Sequence, residues 1–436
     1  MNAPSFHGLL GGTPWPDKAG SRTAMGPLYG GGEARCIAEL ASPERLTLVI
    51  TADTSSALIL ERELPFYLAG PVEVLAFPDW ETLPYDNFSP HQDIVSERLK
   101  TLYRLPTVRG GVLIVPMPTL MHRLPPAEYI AGASLMLGRG ESLDIPAFRR
   151  NLERNGYRHV ETVYEHGEFA LRGSLFDIFP MGSNQPYRID LFDDEIDSLR
   201  TFDPETQRTV DKVERIELLP AREFPLDPAA ISRFQLNWYE HFDGDPDSCP
   251  VFQEISAGRV APGSEYYLPL FFERCDTLLN YLPEQVAVVA SGNHYSAAQR
   301  FWDDVNSRYR EYGIDPRHPL LPPATCFVPV EELFQQLGSR AVLELRQDPD
   351  APVHVTTACL PPPSLSGDGE QGGRIGRLAA FLDEHQGPVL LCAESAGRRE
   401  LLLESLQRED LRPATAENWQ AFLDAGDDFA ITTAPL

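Results

Sequence analysis

The chain has 436 residues and a formal net charge of −27, from 64 acidic against 37 basic residues. This length predicts roughly two to four domains, at about 100 to 200 residues each. A charge of this size repels the phosphate backbone of DNA over most of the surface, so it argues against strong unaided DNA binding and favours basic partners.

The cysteines and the hydropathy of the sequence indicate the cellular compartment in which the protein is expected to work. Six cysteines are scattered without a CxxC pair, which is typical of reduced cytosolic thiols and argues against a zinc site. No apolar run approaches the roughly 18 residues of a membrane span. The first 20 residues also lack the basic and apolar regions of a signal peptide. We therefore expect a cytoplasmic protein with no membrane partner.

The first part of the chain predicts an α/β lobe. Apolar runs at residues 46–50, 72–77 and 111–116 are typical of buried parallel strands, and helical patterns separate them. One helix is expected to begin with Ser89 as its cap and Pro90 in its first turn, and to end before Pro106. This alternation implies right-handed crossovers within one parallel sheet.

The remaining segments are predicted from changes in pattern. Residues 133–222 indicate a small α+β domain, with a helix from about Ile145 followed by antiparallel strands. Residues 223–345 return to helices and a buried strand at 286–291, so we expect them to complete the lobe that residues 1–132 begin. Residues 346–436 then predict a flexible linker at 361–373 and a further α/β domain. The chain is expected to be cut from a longer protein.

A glycine-rich turn at residues 28–36, LYGGGEARC, is the first candidate site. Such a turn before a helix can cradle phosphate, but a P-loop also needs a lysine and a hydroxyl for magnesium. Both are missing, and Glu33 would repel phosphate. We therefore expect a loop that does not bind nucleotide.

Acids and histidines offer weaker candidates for a metal or for acid–base chemistry. Asp86, His91 and Asp93 match no metal-ligand spacing, and His166 is a lone histidine beside two glutamates. The acidic run from Asp193 is typical of a hairpin turn. No nucleophile signature is present. We expect structural roles for all of these residues, and no catalytic, cofactor or metal site.

The strongest candidate is a patch of arginines and an aromatic residue. Strand alternation in YRIDLFDD, residues 187–194, places Arg188 and Phe192 on one face, and pairing with the preceding strand would bring Arg172 near. An exposed aromatic beside arginine is the composition of an interface hot spot. On residues alone, an equally good interpretation is a solvated face on which the arginines pair with Asp190, Asp193 and Asp194.

Several long motifs add a family resemblance. FPDWETLPYDNFSPHQDIVSERLKTLYRLP, GVLIVPMPTLMHRLPP, EHGEFALRGSLFDIFPMGS and PYRIDLFDDEIDSLRTFDPETQR resemble the bacterial transcription-repair coupling factors, the Mfd family. The similarity covers about residues 46–406. The section around LRGSLFDIFP also resembles the repair protein UvrB.

The resemblance implies a fold and a function. The fold would be a degenerate P-loop-NTPase-like, UvrB-like lobe in two segments with an inserted UvrA-binding domain, followed by a further α/β domain. Members of the family resemble ATP-dependent DNA translocases that displace stalled RNA polymerase and recruit UvrA. ATP, magnesium, RNA polymerase and DNA would be bound by parts of the family protein outside this chain.

The resemblance also decides between the two interpretations of the patch. It implies that Arg172, Arg188 and Phe192 contact UvrA, and that C-terminal domains of the same protein mask them until the motor engages. The alternative is a UvrB-type module that binds ATP and damaged DNA. Against it, the lysine of the P-loop and the aromatic damage-probing hairpin of UvrB are both missing.

Overall fold

The computed structural model describes residues 18–365 and 373–435, and its strands form four sheets. Residues 22–133 alternate strands with helices, as the apolar runs predicted. In chain order they form β1 (Arg22–Gly26), α1 (Gly32–Leu40), β2 (Leu46–Thr51), α2 (Thr54–Tyr67), β3 (Val74–Ala76), α3 (Gln92–Arg104), a 3-10 turn (Leu105–Thr107), β4 (Gly111–Pro116), α4 (Met117–Leu120) and α5 (Ala127–Ala133).

Residues 135–218 form a small α+β unit with two sheets. Its elements are β5 (Leu135–Gly138), α6 (Ile145–Arg154), β6 (Arg158–His159), β7 (Glu168–Arg172), β8 (Leu175–Phe179), β9 (Tyr187–Phe192), β10 (Glu195–Phe202), β11 (Thr209–Val213) and β12 (Arg215–Leu218). Six strands form one sheet in the order β11-β10-β9-β8-β7-β6, while β12 pairs with β5. We call this unit the inserted module.

Residues 228–356 return to helices and parallel strands. They form α7 (Pro228–His241), a 3-10 turn (Pro246–Ser248), α8 (Pro250–Ser256), a 3-10 helix (Ser264–Phe271), α9 (Leu278–Tyr281), β13 (Val286–Ser291), α10 (His294–Tyr312), α11 (Pro323–Cys326), α12 (Val330–Gly338), β14 (Val342–Leu345) and β15 (Val355–Thr356). Strand β13 pairs in parallel with β2. The resulting seven-stranded sheet has the order β15-β1-β14-β13-β2-β4-β3, so strands from both sides of the inserted module share one sheet.

The last described segment has its own parallel sheet. It contains α13 (Gly373–Glu384), β16 (Val389–Ala393), α14 (Ala396–Arg408), β17 (Ala414–Thr415), α15 (Trp419–Ala425) and β18 (Phe429–Thr433). The strand order is β16-β18-β17. Trp419 contacts the first lobe, since its ring centroid lies 5.6 Å from that of Tyr67. Residues 366–372 of the expected linker lie outside the described residues.

The main apolar core is shared between the lobe and the inserted module. One cluster includes Leu48 and Leu99 of the lobe together with Leu137, Phe176 and Ile189 of the module. Burial of this apolar surface is the main favourable contribution to folding. The module is therefore packed against the lobe rather than tethered to it.

The expected start of α3 was wrong. The helix begins at Gln92, and His91 is its cap, with its Nδ1 accepting a hydrogen bond from the backbone N–H of Asp93 at 3.3 Å. The Ser89 hydroxyl is engaged elsewhere, because it donates to Glu265 at 2.8 Å and accepts from the Gly263 N–H at 3.2 Å. The helix does end before Pro106, as predicted.

The structure is thus a mixed α/β fold with parallel sheets and several structural units. None of the helices in the described part of the chain combines the length and the apolar character needed to cross a bilayer. The limits of the four predicted segments, 1–132, 133–222, 223–345 and 346–436, stay predictions.

Candidate protein-interaction surface

The six-stranded sheet of the inserted module has two different faces. One face packs under α6, where the rings of Phe148 and Phe176 lie 5.1 Å apart between centroids. The opposite, outer face is covered in part by a small apolar cluster that includes Val163, Phe179 and Phe202. The uncovered remainder of the outer face is polar, and it carries all three residues of the predicted patch.

Asp177 organises this outer face. It lies in the middle of β8 with an exposed fraction of only 1%, directly opposite Arg188 on β9. Arg188 donates from Nε to Oδ1 at 2.7 Å and from Nη2 to Oδ2 at 2.9 Å, while Arg172 donates from Nη2 to Oδ2 at 2.8 Å. A buried carboxylate needs such charged donors, since an unpaired one would be costly. One carboxylate therefore holds both guanidinium groups.

The two arginines are not equivalent. The side chain of Arg188 is only 18% exposed, it donates a further hydrogen bond to the carbonyl of Gln207 at 3.2 Å, and its guanidinium lies 4.8 Å from the Phe202 ring centroid. The hydrogen bonds that Arg188 donates to the Asp177 carboxylate raise the pKa of Arg188. Arg172 is 50% exposed and uses one Nη for Asp177. Arg172 thus has N–H donors left for a partner, whereas all three nitrogens of the Arg188 guanidinium already donate hydrogen bonds within the chain.

Phe192 is the most exposed aromatic residue of this sheet. It ends β9 with 76% of its surface exposed, while Ile189 and Leu191 of the same strand are buried. The two-residue turn Asp193–Asp194 follows, and Asp193 has a φ of 56°. The alternation predicted from the sequence is confirmed: an apolar ring stands on the polar face of the strand.

The acidic partner of the arginines is a residue that the sequence interpretation did not name. The alternative interpretation paired the arginines with Asp190, Asp193 and Asp194 on a solvated face, whereas the carboxylate that pairs with both is Asp177. A signal for it was present, because Asp177 is the one charged residue in a strand, LFDIF, whose other residues are apolar. A carboxylate in a buried strand is rarely without a cationic partner.

The glycine-rich turn leads into α1 with Gly31 as the cap and Gly30 at a φ of +51°. Glu33, in the first turn of α1, is only 6% exposed and accepts a hydrogen bond from Gln347 at 2.6 Å. Burial raises the pKa of Glu33. A buried acidic side chain therefore occupies the start of this helix, where a phosphate group would need free amides and a positive charge.

Three of the predicted histidine and acid candidates, His91, Asp93 and His166, meet at the start of α3. His166 Nδ1 lies 2.6 Å from Asp93 Oδ1, and His91 Nδ1 lies 3.4 Å from Asp93 Oδ2. His166 Nε2 lies 2.8 Å from the carbonyl of Ser183, while Asp86 accepts from the Asn87 N–H at 2.7 Å. No group of three or more metal-binding side chains is found within residues 18–365 and 373–435. The contact between His166 and Asp93 joins the module to the lobe.

Comparison with known families gives two matches along the chain. Residues 135–224 match the model described as the UvrB interaction domain, which includes Asp177 and the whole predicted patch. Residues 381–436 match the model described as the MFD D3 domain. The first match covers almost the same residues as the inserted module.

Whole-chain relatives agree with these matches, and all carry the name transcription-repair-coupling factor. The chain is 44% identical to the Escherichia coli protein over 402 residues, which is 91% of this chain and 35% of that protein. It is 40% identical to the Haemophilus influenzae protein over 91% of this chain and 35% of the relative. Identity to the Myxococcus xanthus protein is 30%, over 87% of this chain and 34% of the relative.

The chain thus spans about a third of the length of the curated relatives it matches. Within that third, the similarity runs through the seven-stranded lobe, the inserted module and the last parallel sheet. The chain belongs to the transcription-repair coupling factor (Mfd) family, whose N-terminal, UvrB-like region it matches.

Proposed function

We propose that this chain is a non-catalytic part of a transcription-repair coupling factor, and that it binds UvrA to bring nucleotide excision repair to stalled RNA polymerase. The observation that carries the proposal is the exposed Phe192 ring beside the half-exposed Arg172 guanidinium, on a sheet within the match to the UvrB interaction domain. An apolar anchor next to a cation is typical of a binding hot spot.

The roles within the patch follow from its geometry. Phe192 would enter an apolar pocket of UvrA and lose its contact with water, which is the largest available contribution to affinity. Arg172 would donate charge-assisted hydrogen bonds to a carboxylate or carbonyl of UvrA. Arg188 would contribute less by direct contact, since Asp177 and Gln207 already accept from it.

A calorimetric titration of UvrA with this chain and with Phe192→Ala tests the proposal. We expect the substitution to cost about 2 kcal/mol or more of binding free energy, which is roughly thirtyfold in Kd. Phe88→Ala is the matched control, because Phe88 is also a highly exposed phenylalanine, at 69%, but lies in the lobe. The control should bind with nearly unchanged affinity.

Arg172→Glu tests the charged part of the patch in the same assay. We expect weaker binding. The new carboxylate would lie beside Asp177, so the neutral variant Arg172→Ala, which removes only a half-exposed ion pair, is titrated alongside to separate the loss of binding from a loss of stability. Wild-type affinity in both the Phe192 and the Arg172 variants would refute the site. Absence of wild-type binding would refute the function itself.

For the lobe, we propose a degenerate P-loop-NTPase-like fold that does not bind ATP. The support is Glu33, whose buried carboxyl stands at the start of α1 where a P-loop needs free amides and a lysine. In this proposal ATP, magnesium, DNA and RNA polymerase are bound by other parts of the longer family proteins. Thermal unfolding with ATP and magnesium tests it, and a rise in Tm would contradict it.

We also propose that the patch is regulated within the longer protein. C-terminal domains of a family member would cover Phe192 and Arg172 until the motor engages. The surface on this chain is exposed and carries both an apolar and a charged group, which fits one surface with two alternative partners. Mixing this chain with the separate C-terminal part should give a complex that UvrA displaces, and simultaneous binding of both would contradict the proposal.

A further inference from the structure

A row of charged residues crosses the outer face of the module sheet. The strand register places Asp177 of β8 opposite Arg188 of β9, Arg188 opposite Arg200 of β10, and Arg200 opposite Lys212 of β11. Residues directly opposite each other in a sheet point to the same face. One acid and three cations therefore follow one another from the centre of the sheet to its edge strand.

The positive charge of this row is not neutralised within the described residues. Arg188 shares the carboxylate of Asp177 with Arg172. Over residues 18–365 and 373–435, Arg200 and Lys212 have no ion-pair partner, and the Nε of Arg200 is buried without a hydrogen bond. Like charges directly opposite each other destabilise a sheet, and an unsatisfied buried donor adds a further cost.

One acid lies close to the row but does not complete it. Asp190 sits two residues after Arg188 on the same face of β9, and its ladder partners are Leu175 and Ser198. It forms no ion pair within the described part of the chain. The surface therefore keeps an excess of two cations on β10 and β11, in a chain whose formal net charge is −27.

We infer that Arg200 and Lys212 are further contact residues of the same surface, and that they bind carboxylates on an acidic stretch of the protein partner. This inference rests on the proposed function and deepens it: the contact would extend from Phe192 and Arg172 along the row to the edge of the sheet. The partner supplies the acceptors that Arg200 Nε and the Lys212 ammonium lack in the free chain.

The observations favour a protein over a nucleic acid as the occupant. Phe192 and Val210 lie near the row with exposed fractions of 76% and 60%, and Val210 precedes Lys212 by two residues in β11. Exposed apolar side chains beside cations fit a protein interface, whereas phosphate binding uses cations and polar donors.

The test is a titration of UvrA with Arg200→Glu and Lys212→Glu at two salt concentrations. We expect each variant to bind at least about tenfold more weakly at low salt, and the loss to shrink as salt screens the charges. Lys212 is exposed on an edge strand, so its variant is expected to fold even if the Arg200 variant does not.

Arg150→Glu is the matched control. Arg150 is an exposed arginine of α6, the helix that covers the opposite face of the same sheet, so the variant has the same charge change in the same module. It should bind UvrA within about twofold of wild type, because rim charges far from a contact have small effects.

The outcomes separate this inference from the function on which it rests. If Lys212→Glu and a folded Arg200→Glu bind like wild type while Phe192→Ala is impaired, the inference is wrong and the proposed function stands. If wild type does not bind UvrA, the proposed function fails. If the variants instead lose affinity for duplex DNA and keep UvrA binding, the row is a nucleic-acid surface and the inference is overturned.

Discussion

At the scale of single residues, the proposed UvrA-binding surface depends on Asp177, a side chain that UvrA would not touch. Asp177 is buried and receives three hydrogen bonds from Arg172 and Arg188. These bonds fix the two guanidinium groups side by side, so that Arg172 does not have to be ordered when the partner binds. Such pre-organisation improves affinity because less conformational entropy is lost.

Asp177→Asn should therefore reduce both stability and binding. It removes one charge of a largely buried ion pair, so we expect the free energy of unfolding to fall by about 3 kcal/mol in chemical denaturation. Affinity for UvrA should fall as well, since Arg172 loses its fixed orientation. Arg172→Ala is the comparison, because it should change stability by less than about 1 kcal/mol. Equal losses of stability in the two variants would contradict this assignment.

Sequence alone predicted one part of this site and missed the other. The exposure of Phe192 follows from the two-residue period of a strand, so the pattern in residues 187–192 was sufficient. The partner of Arg188 depends on the register between β8 and β9, which the apolar pattern of either strand does not determine. Asp177, Arg200 and Lys212 became visible as one row only when that register was known.

At the scale of elements, α3 fixes the lobe to the chain that leaves the inserted module. Arg98 of α3 is fully buried and donates from Nε and Nη2 to the carboxylate of Glu223, at 2.5 and 3.2 Å. Its guanidinium also lies 4.3 Å from the Phe77 ring centroid and donates to the carbonyl of Pro78 at 2.9 Å. Glu223 follows β12 by five residues, so this pair connects two segments that are distant in sequence.

Removing Arg98 should be among the most damaging single changes to the fold. Arg98→Met leaves the buried carboxylate of Glu223 without its cation, and we expect a loss of about 3 to 5 kcal/mol in urea unfolding. The double variant Arg98→Met with Glu223→Met should recover part of that loss, because no unpaired charge remains. If the double variant is less stable than the single one, the ion pair is not the reason for the damage.

The helix boundaries show where sequence patterns are sufficient. The end of α3 was predicted because Pro106 cannot continue a helix, and the apolar stripe of Val95, Leu99 and Leu102 marks its buried side. The start was misplaced because the cap depends on a contact from far along the chain. The Ser89 hydroxyl donates a hydrogen bond to Glu265, and no local sequence pattern indicates that contact.

At the scale of the whole molecule, the sequence predicted that one parallel sheet contains strands from before and after the inserted module. It did not predict the edge strands of that sheet. Buried strands such as β2, β4 and β13 are continuous apolar runs, and such runs pair in a central parallel sheet. By contrast, β15 has two residues and no apolar run. Its place beside β1 depends on the tertiary structure rather than on its own sequence.

The contact between the two halves of the lobe gives the molecule a pH dependence. Glu265 lies where the 3-10 helix Ser264–Phe271 meets the loop before α3, and burial raises the pKa of its carboxyl from 4.5 to about 7. Between these values the folded chain holds a proton that the unfolded chain has released. The stabilising contribution of this group is therefore complete below about pH 4.5 and is lost as pH rises towards 7.

Glu265→Gln should remove this part of the pH dependence. The amide cannot ionise, so we expect the variant to gain stability relative to wild type at pH 8 and to gain little at pH 5, with both compared by chemical denaturation. The change is at most about 1.4 kcal/mol per pH unit over the affected range. Glu273→Gln is the control, since the Glu273 side chain is 83% exposed. The same gain at both pH values would exclude titration of Glu265 as the cause.

The antiparallel pair of β5 and β12 determines how the inserted module is joined to the lobe. Leu135 and Leu218 are direct ladder partners, so the peptide enters and leaves the inserted module at points only about 5 Å apart. A replacement of this unit therefore needs only two joints at neighbouring places in space, and the seven-stranded parallel sheet keeps its strand order. The surface that the module carries can thus be changed without rebuilding the scaffold that supports it.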